Sequence, residues 1–311
     1  MTNAVADAVA NARIFEARQS AQGFSWPECP RWHDDLFWFS DMYTSTLKTI
    51  DESGTVRVVV DATGRAPGAG VPIVLGGFGW LPDGRMVVTS MHEKLVLVHD
   101  GSSPTDLSVY ADLSAFAPGP VNDMVVAADG HVYVTQLGFD LFNGAEPAPS
   151  PIIVVSPAGT ASTADAIGPL MGANGIAISE DGSRVFTAEA FANRIIVMDR
   201  ATDGTLSGNR VFADCPFLPD GIGLDAEGGV WAAMPGSGYV ARFIDGGTIT
   251  DAVAVPLESG VGSACLLGGP DRRTLYITVG MEVFDFEKSA REAKASVWTA
   301  QVDVGAGRTR P

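Results

Sequence analysis

A turn signal followed by a short β-rich run recurs along the whole chain, and this recurrence constrains the fold more than any single motif. Asp83-Gly84, Asp129-Gly130 and Asp181-Gly182, with Glu227-Gly228 as a variant, precede the runs RMVVTS, HVYVTQ, RVFTAE and GVWAAM. Asp34-Asp35 before LFWFSD and Asp271 before RRTLYITV occupy the same slot. The six turn positions, 35, 83, 129, 181, 227 and 271, are spaced by 48, 46, 52, 46 and 44 residues. A second apolar run ending in a turn follows each one, for example LVLVHDG and IIVMDRATDG. A period of this size, carrying about four short strands per copy, is the signature of a β-propeller blade. The expectation is an all-β, six-bladed propeller with four-stranded antiparallel blades around a central channel. Blades are expected at roughly 20–65, 70–112, 117–165, 170–212, 215–255 and 260–304, making one domain over residues 1–311. A strand at about 12–18 should complete the last blade and close the ring, since an open ring would leave an unpaired edge.

The 36 glycines and 19 prolines supply the turns, and a hydrophobic fraction of 46% supplies a large core. The net charge is −17, from 37 acidic and 20 basic residues. Nucleic-acid binders and proteins drawn to anionic lipid carry basic surfaces, so neither partner is expected. No stretch approaches the ~18 apolar residues of a membrane-crossing helix. The first 20 residues lack a basic segment leading into an apolar one, so a signal peptide is not expected and a cytoplasmic protein is. Three cysteines without a CxxC spacing argue against a disulfide framework or a thiolate zinc site.

Seven residues before the turn positions stand Glu28, Gly76, Asn122, Asn174, Asp220 and Ala264. In a propeller, equivalent positions on the innermost strands surround one channel, so four oxygen-bearing side chains at one level should converge. Asn174-Gly175 and Asp220-Gly221 also read as turns. Glu28 and Asn122 are not followed by glycine, and the shared register favours a common site. Two carboxylates and two amides make a hard, all-oxygen set suited to one divalent cation, Ca²⁺ first, with Mg²⁺ or Mn²⁺ as alternatives. Zn²⁺, which more typically brings His or Cys, is a further alternative.

The segments PECPRWHDDLFWFSDM, VNDMVVAADGHVYVT, ANGIAISEDGSRVFTAE and PDGIGLDAEGGVWAA resemble the senescence-marker-protein, gluconolactonase and regucalcin-like family of six-bladed propellers, over roughly residues 20–304. The resemblance implies one divalent cation held by Glu28, Asn174 and Asp220, with Asn122 as a fourth contact to metal or substrate. The implied activity is metal-dependent opening of a lactone or related cyclic ester. Asp220 is the candidate general base, and Asn122 would orient the substrate. Two alternatives stay open: a phosphotriesterase on the same metal site, and a non-catalytic calcium- or ligand-binding propeller. Cys29 stands where the family has glycine, and Pro120 where its sugar-lactone hydrolases often have arginine. With Met42, Met91, Phe139, Phe142, Phe191 and Met234 expected near the channel mouth, a lactone less polar than a sugar lactone is the expected substrate.

No GxSxG elbow, HExxH or P-loop competes with this site. His92, just past VVTSM, is the histidine placed to reach the mouth, while Asp41 and Glu189 read as loop anchors. Asp123 should point away from Asn122 and support the site from behind. Cys29 and Cys265 read as small buried packing residues able to approach one another across blades one and six. The insertion around 138–151 is either a lid or a surface loop.

Overall fold

In a computed structural model that describes residues 2–66 and 72–310, six antiparallel sheets follow one another around a ring. The first four are blade one (Pro27–His33, Leu36–Asp41, Thr46–Ile50, Val56–Asp61), blade two (Leu75–Trp80, Met86–Ser90, Leu95–His99, Leu107–Asp112), blade three (Val121–Val126, Val132–Gln136, Ile153–Val155, Ala161–Thr163) and blade four (Ala173–Ile178, Arg184–Glu189, Arg194–Arg200, Leu206–Asp214). Blade five contains Ile222–Leu224, Val230–Met234, Tyr239–Phe243 and Ile249–Ala254. Blade six contains Val261–Gly268, Thr274–Gly280, Ala295–Gln301 and the N-terminal strand Arg18–Phe24. The first strand of each blade packs beside the first strand of the next, blade six returning to blade one, so six strands enclose the channel.

The ring closes differently from the sequence expectation. The strand expected at 12–18 is two strands. Arg13–Glu16 adds to blade five as a fifth strand, parallel to Ile249–Ala254, while Arg18–Phe24 pairs antiparallel with Ala295–Gln301 and closes blade six. Blade one accordingly starts at Pro27 rather than near residue 20. The reason is geometric: the chain runs along one open outer edge and, with Ala17 between, continues onto the next.

The recurrent aspartates act as expected of turn residues. Asp83, Asp129, Asp181, Asp225 and Asp271 each accept, through Oδ1, the backbone N–H two residues on, at 2.9–3.1 Å. In blade five this residue is Asp225, two before the Glu227 of the repeat. Blade one has no glycine here, and Asp34 and Asp35 themselves take φ of 49° and 58°. Asp is among the few residues that tolerate this conformation.

Strict alternation is absent because blades are covered on both faces. Met86–Ser90, Val132–Gln136 and Val230–Met234 are buried at every position. Hydrophobic clusters fill each of the six clefts between neighbouring blades; Phe37, Phe39 and Phe24 join blades one and six across the closure. Burial of this kind, worth ~25 cal/mol per Å² of apolar surface, holds the ring together. No helix among the described residues is long and apolar enough to cross a membrane.

Candidate metal and substrate site

Glu28, Asn122 and Asn174 are each the second residue of a blade's first strand, and Asp220 lies two residues before Ile222–Leu224. Just past this level the pairing to the second strand slips, between Glu28 and Arg31, Leu75 and Phe78, Val121 and Met124, and Ala173 and Ile176. A bulge re-aims the side chains beside it, and such irregularities favour active sites. Here it lets the strand starts turn their side chains toward the channel. All four residues line one cavity of about 300 Å³ at this end of the channel. Gly76 and Ala264, at the equivalent level, contribute no polar side chain.

Gly175 answers why a glycine follows Asn174. A Cβ there would stand 2.5 Å from the Ile222 nitrogen and 2.7 Å from the Asp220 oxygen. Gly175 N–H donates to that same Asp220 carbonyl at 3.2 Å. The glycine is a contact point between blades four and five, not a hairpin turn, and it fixes the spacing of Asn174 and Asp220.

Asn122 Nδ2 donates to Asn174 Oδ1 at 2.7 Å, linking the two amides. Cys29 N–H donates to Glu28 Oε2 at 3.0 Å. Burial pushes the Glu28 carboxyl up to about 7, with the Asp123 charge adding to the rise and the Cys29 N–H and Ser263 opposing it. Asp220 is held well above the ordinary carboxylate range by burial, then by Glu28 and Asp123. Among the described residues no Lys, Arg or His lines this cavity. Two carboxylates thus converge without a counter-charge, an arrangement that repels and holds protons unless a cation is supplied. Nor, among the described residues, do three His, Cys, Asp or Glu side chains gather at a metal-binding spacing anywhere. A cation here would therefore take its remaining ligands from amide oxygen and water. The donor set fits a hard, oxygen-seeking divalent ion.

Behind the carboxylates lies a buried ion pair. Arg31 Nη2 donates to Asp123 Oδ1 at 2.7 Å and to the Met124 carbonyl, and Arg31 Nε donates to Phe78 O at 2.9 Å. This joins blades one, two and three across the channel. Asp123 thus lies behind the site, as the sequence suggested, but the partner that holds it there, Arg31, carried no sequence signal.

Of the six apolar residues expected at the mouth, Met42, Met91, Phe142 and Phe191 line the cavity. Phe139 instead supports Phe191 edge-on, with ring centroids 5.2 Å apart, and Met234 lies in the core between blades four and five. Trp26, Tyr43, Leu218, Pro235, Val261 and Val283 also line the walls and were not found from sequence. All but Val261, which opens blade six's first strand, sit in connections between strands, where no period marks them. The 138–151 insertion brings Phe142 to the wall; its ring meets Phe286 edge-on at 5.1 Å, and Phe286 stacks on Tyr43 at 4.2 Å. His92 does not line the cavity: it packs against Phe142 and Phe286, and burial lowers its basicity.

Asp41 and Glu189 anchor loops. Asp41 accepts from the Ser25 and Trp26 N–H groups at 2.8 and 3.0 Å, and Glu189 accepts from Met171 N–H at 2.8 Å and pairs with Arg194. Cys29, Cys215 and Cys265 are free and buried. Cys29 packs between blades one and two and Cys265 between five and six, so the suggested approach of these two is not made.

Solved structures share this architecture. Regucalcin, a calcium-binding protein from Agrobacterium tumefaciens, is 20% identical with a TM-score of 0.73, over 95% of this chain and 97% of that one. A gluconolactonase from Xanthomonas campestris is 22% identical with a TM-score of 0.70, over 96% and 93%. Pentonolactonase XacC of Haloferax volcanii is 25% identical over 260 residues, covering 81% of this chain and 80% of the relative. L-arabinolactonase of Azospirillum brasilense is 36% identical over 116 residues, so the match spans only 37% of that enzyme and 36% of this chain. The model of the SMP-30/gluconolactonase/LRE-like region matches residues 26–281, from the strand that carries Glu28 to the end of blade six's second strand, and this chain belongs to that family.

Proposed function

We propose that the protein hydrolyses a lactone or related cyclic ester with the help of one divalent cation at Glu28, Asn122, Asn174 and Asp220. Ca²⁺ is the first candidate, with Mg²⁺, Mn²⁺ or Zn²⁺ as alternatives. The observation that carries the reading is the convergence of two half-buried carboxylates, without a counter-charge, in a largely apolar cavity. Relatives named as lactonases support the reaction class.

A cation bound here would polarise the ester carbonyl and acidify water beside it. Glu28, Asn174 and Asp220 would hold it, and Asn122 keeps the Asn174 amide oriented through the 2.7 Å bond. Asp220 takes the proton of the attacking water as the new C–O bond forms, then returns it to the ring oxygen as the ring C–O bond breaks. The walls of Trp26, Met91, Phe142 and Phe191 exclude bulk water and favour an apolar ring substituent, so the preferred lactone is less polar than a sugar lactone.

The test is hydrolysis of a panel of polar and apolar lactones by wild type and Asp220→Asn, after chelation and with each metal restored separately. Metal-dependent turnover that falls about 100-fold or more in the variant is expected. No turnover with any metal, while chelation merely lowers Tm, would replace the enzyme with a structural calcium site.

A further inference from the structure

The first strands of the blades all run from the carboxylate site toward a second opening, and the chemistry there is of opposite sign. A cavity of about 430 Å³ lies at their far ends, beside His33, Trp80, Val126 and Leu224. The C-terminal segment crosses it: Ile178 and Arg310 exchange backbone hydrogen bonds at 2.8 and 3.1 Å, and Thr309 Oγ1 donates to Leu224 O at 3.2 Å. This segment and the blade-six turn bring Arg272, Arg308 and Arg310 to the cavity wall.

Among the described residues none of these three arginines has a carboxylate within ion-pair distance, and no Asp or Glu lines the cavity. Arg85, Arg194, Arg200, Arg210 and Arg242, by contrast, each sit on a carboxylate. Arg31 also reaches this cavity, but Asp123 neutralises it. The nearest carboxylates are Asp34, 3.4 Å from His33, and Glu180, whose side chain lies behind Gly307; neither lines the cavity. Arg272 Nη2 donates to Gly307 O at 3.0 Å, yet its Nε is buried with no partner. Trp32 and Trp80 supply flat apolar walls beside the guanidinium groups, Trp80 with His33 stacked on it at 3.8 Å.

We propose that this lower mouth is a binding site for a small, multiply charged organic anion, its phosphate or carboxylate group held by Arg272, Arg308 and Arg310 and its body against Trp32 and Trp80. Guanidinium groups recognise both oxyanions through paired N–H donors, and this is the chemistry the two ligand types share. The site is separate from the carboxylate cavity and needs no cation.

Isothermal titration of the chelated protein at low ionic strength with phenyl phosphate, pyrophosphate and citrate tests the assignment. Chelation keeps any cation at Glu28 and Asp220 from recruiting the anion. Saturable binding by at least one probe is expected, weakened about tenfold by Arg272→Gln with Arg310→Gln. Arg308→Gln and Arg310→Gln, at exposed positions, serve if the Arg272 variant does not fold, each weakening binding about threefold. A preference for phenyl phosphate over citrate would identify a phosphate ester, and the reverse a polycarboxylate; either supports the site. Absence of saturable binding by every probe, or affinity unchanged in the arginine variants, would overturn it.

Discussion

Replacing Glu28 by Gln should stabilise the metal-free protein at alkaline pH and destabilise it when the cation is bound. Glu28 is lifted from 4.5 to about 7, first by burial and then by Asp123. A carboxyl raised in the folded state binds its proton more tightly there than in the unfolded chain. Its stabilising contribution is therefore full below about pH 4.5 and is lost as pH rises through about 7. The difference between 4.5 and about 7 amounts to about 3 kcal/mol. Gln keeps the size and the acceptor for Cys29 N–H but carries no charge, and it also removes one cause of the rise at Asp220. At pH 8 in chelator the variant should gain about 2–3 kcal/mol, or about 5 °C in Tm, and the gain should vanish near pH 4.5. Saturating Ca²⁺ should reverse the order, because the wild type gains the ligand's binding free energy and the variant loses an anionic ligand. Thermal unfolding of both proteins at pH 4.5, 6 and 8, with chelator and with Ca²⁺, reads all of this. A variant no more stable than wild type at pH 8 in chelator, or a difference that does not change with pH, would refute the reasoning about uncompensated carboxylates.

Asn122→Ala removes the donor that orients Asn174, and lactone turnover should fall about tenfold with little change in Tm, read by steady-state kinetics. Gly175→Ala forces a Cβ against backbone at 2.5 Å and should cost about 2–3 kcal/mol in denaturant unfolding, with weaker cation binding as Asp220 is displaced. Asp123→Ala leaves Arg31 buried and unpaired and should cost about 3–5 kcal/mol, whereas Arg31→Met with Asp123→Leu should recover much of it. Burial pushes the Cys215 thiol up to about 12 and also raises the Cys29 and Cys265 thiols, so a thiol reagent at pH 8 should label none in the native protein and all three on unfolding.

The architecture was legible because a propeller blade is written locally. Each copy carries its own turn aspartate and its own strands, so spacing alone gave six blades. The polar site was legible for the same reason: Glu28, Asn122, Asn174 and Asp220 hold one register, and a ring converts one register into one place. Asn174 and Asp220 look like turn residues in isolation, and only the repeat separated them from that reading. What tertiary structure decided is non-local. Which open edge Arg13–Glu16 and Arg18–Phe24 would each join depends on edges formed more than 200 residues away, and both segments have strand character. Most of the cavity's apolar walls come from connections without period, and packing placed Phe142 inside while turning Met234 into the core. Arg31 finds Asp123 across three blades, and the C-terminal arginines meet Arg272 only because the chain folds back over the channel. Periodicity records what each blade needs to form; charge pairing and pocket shape follow from how the closed ring brings distant residues together.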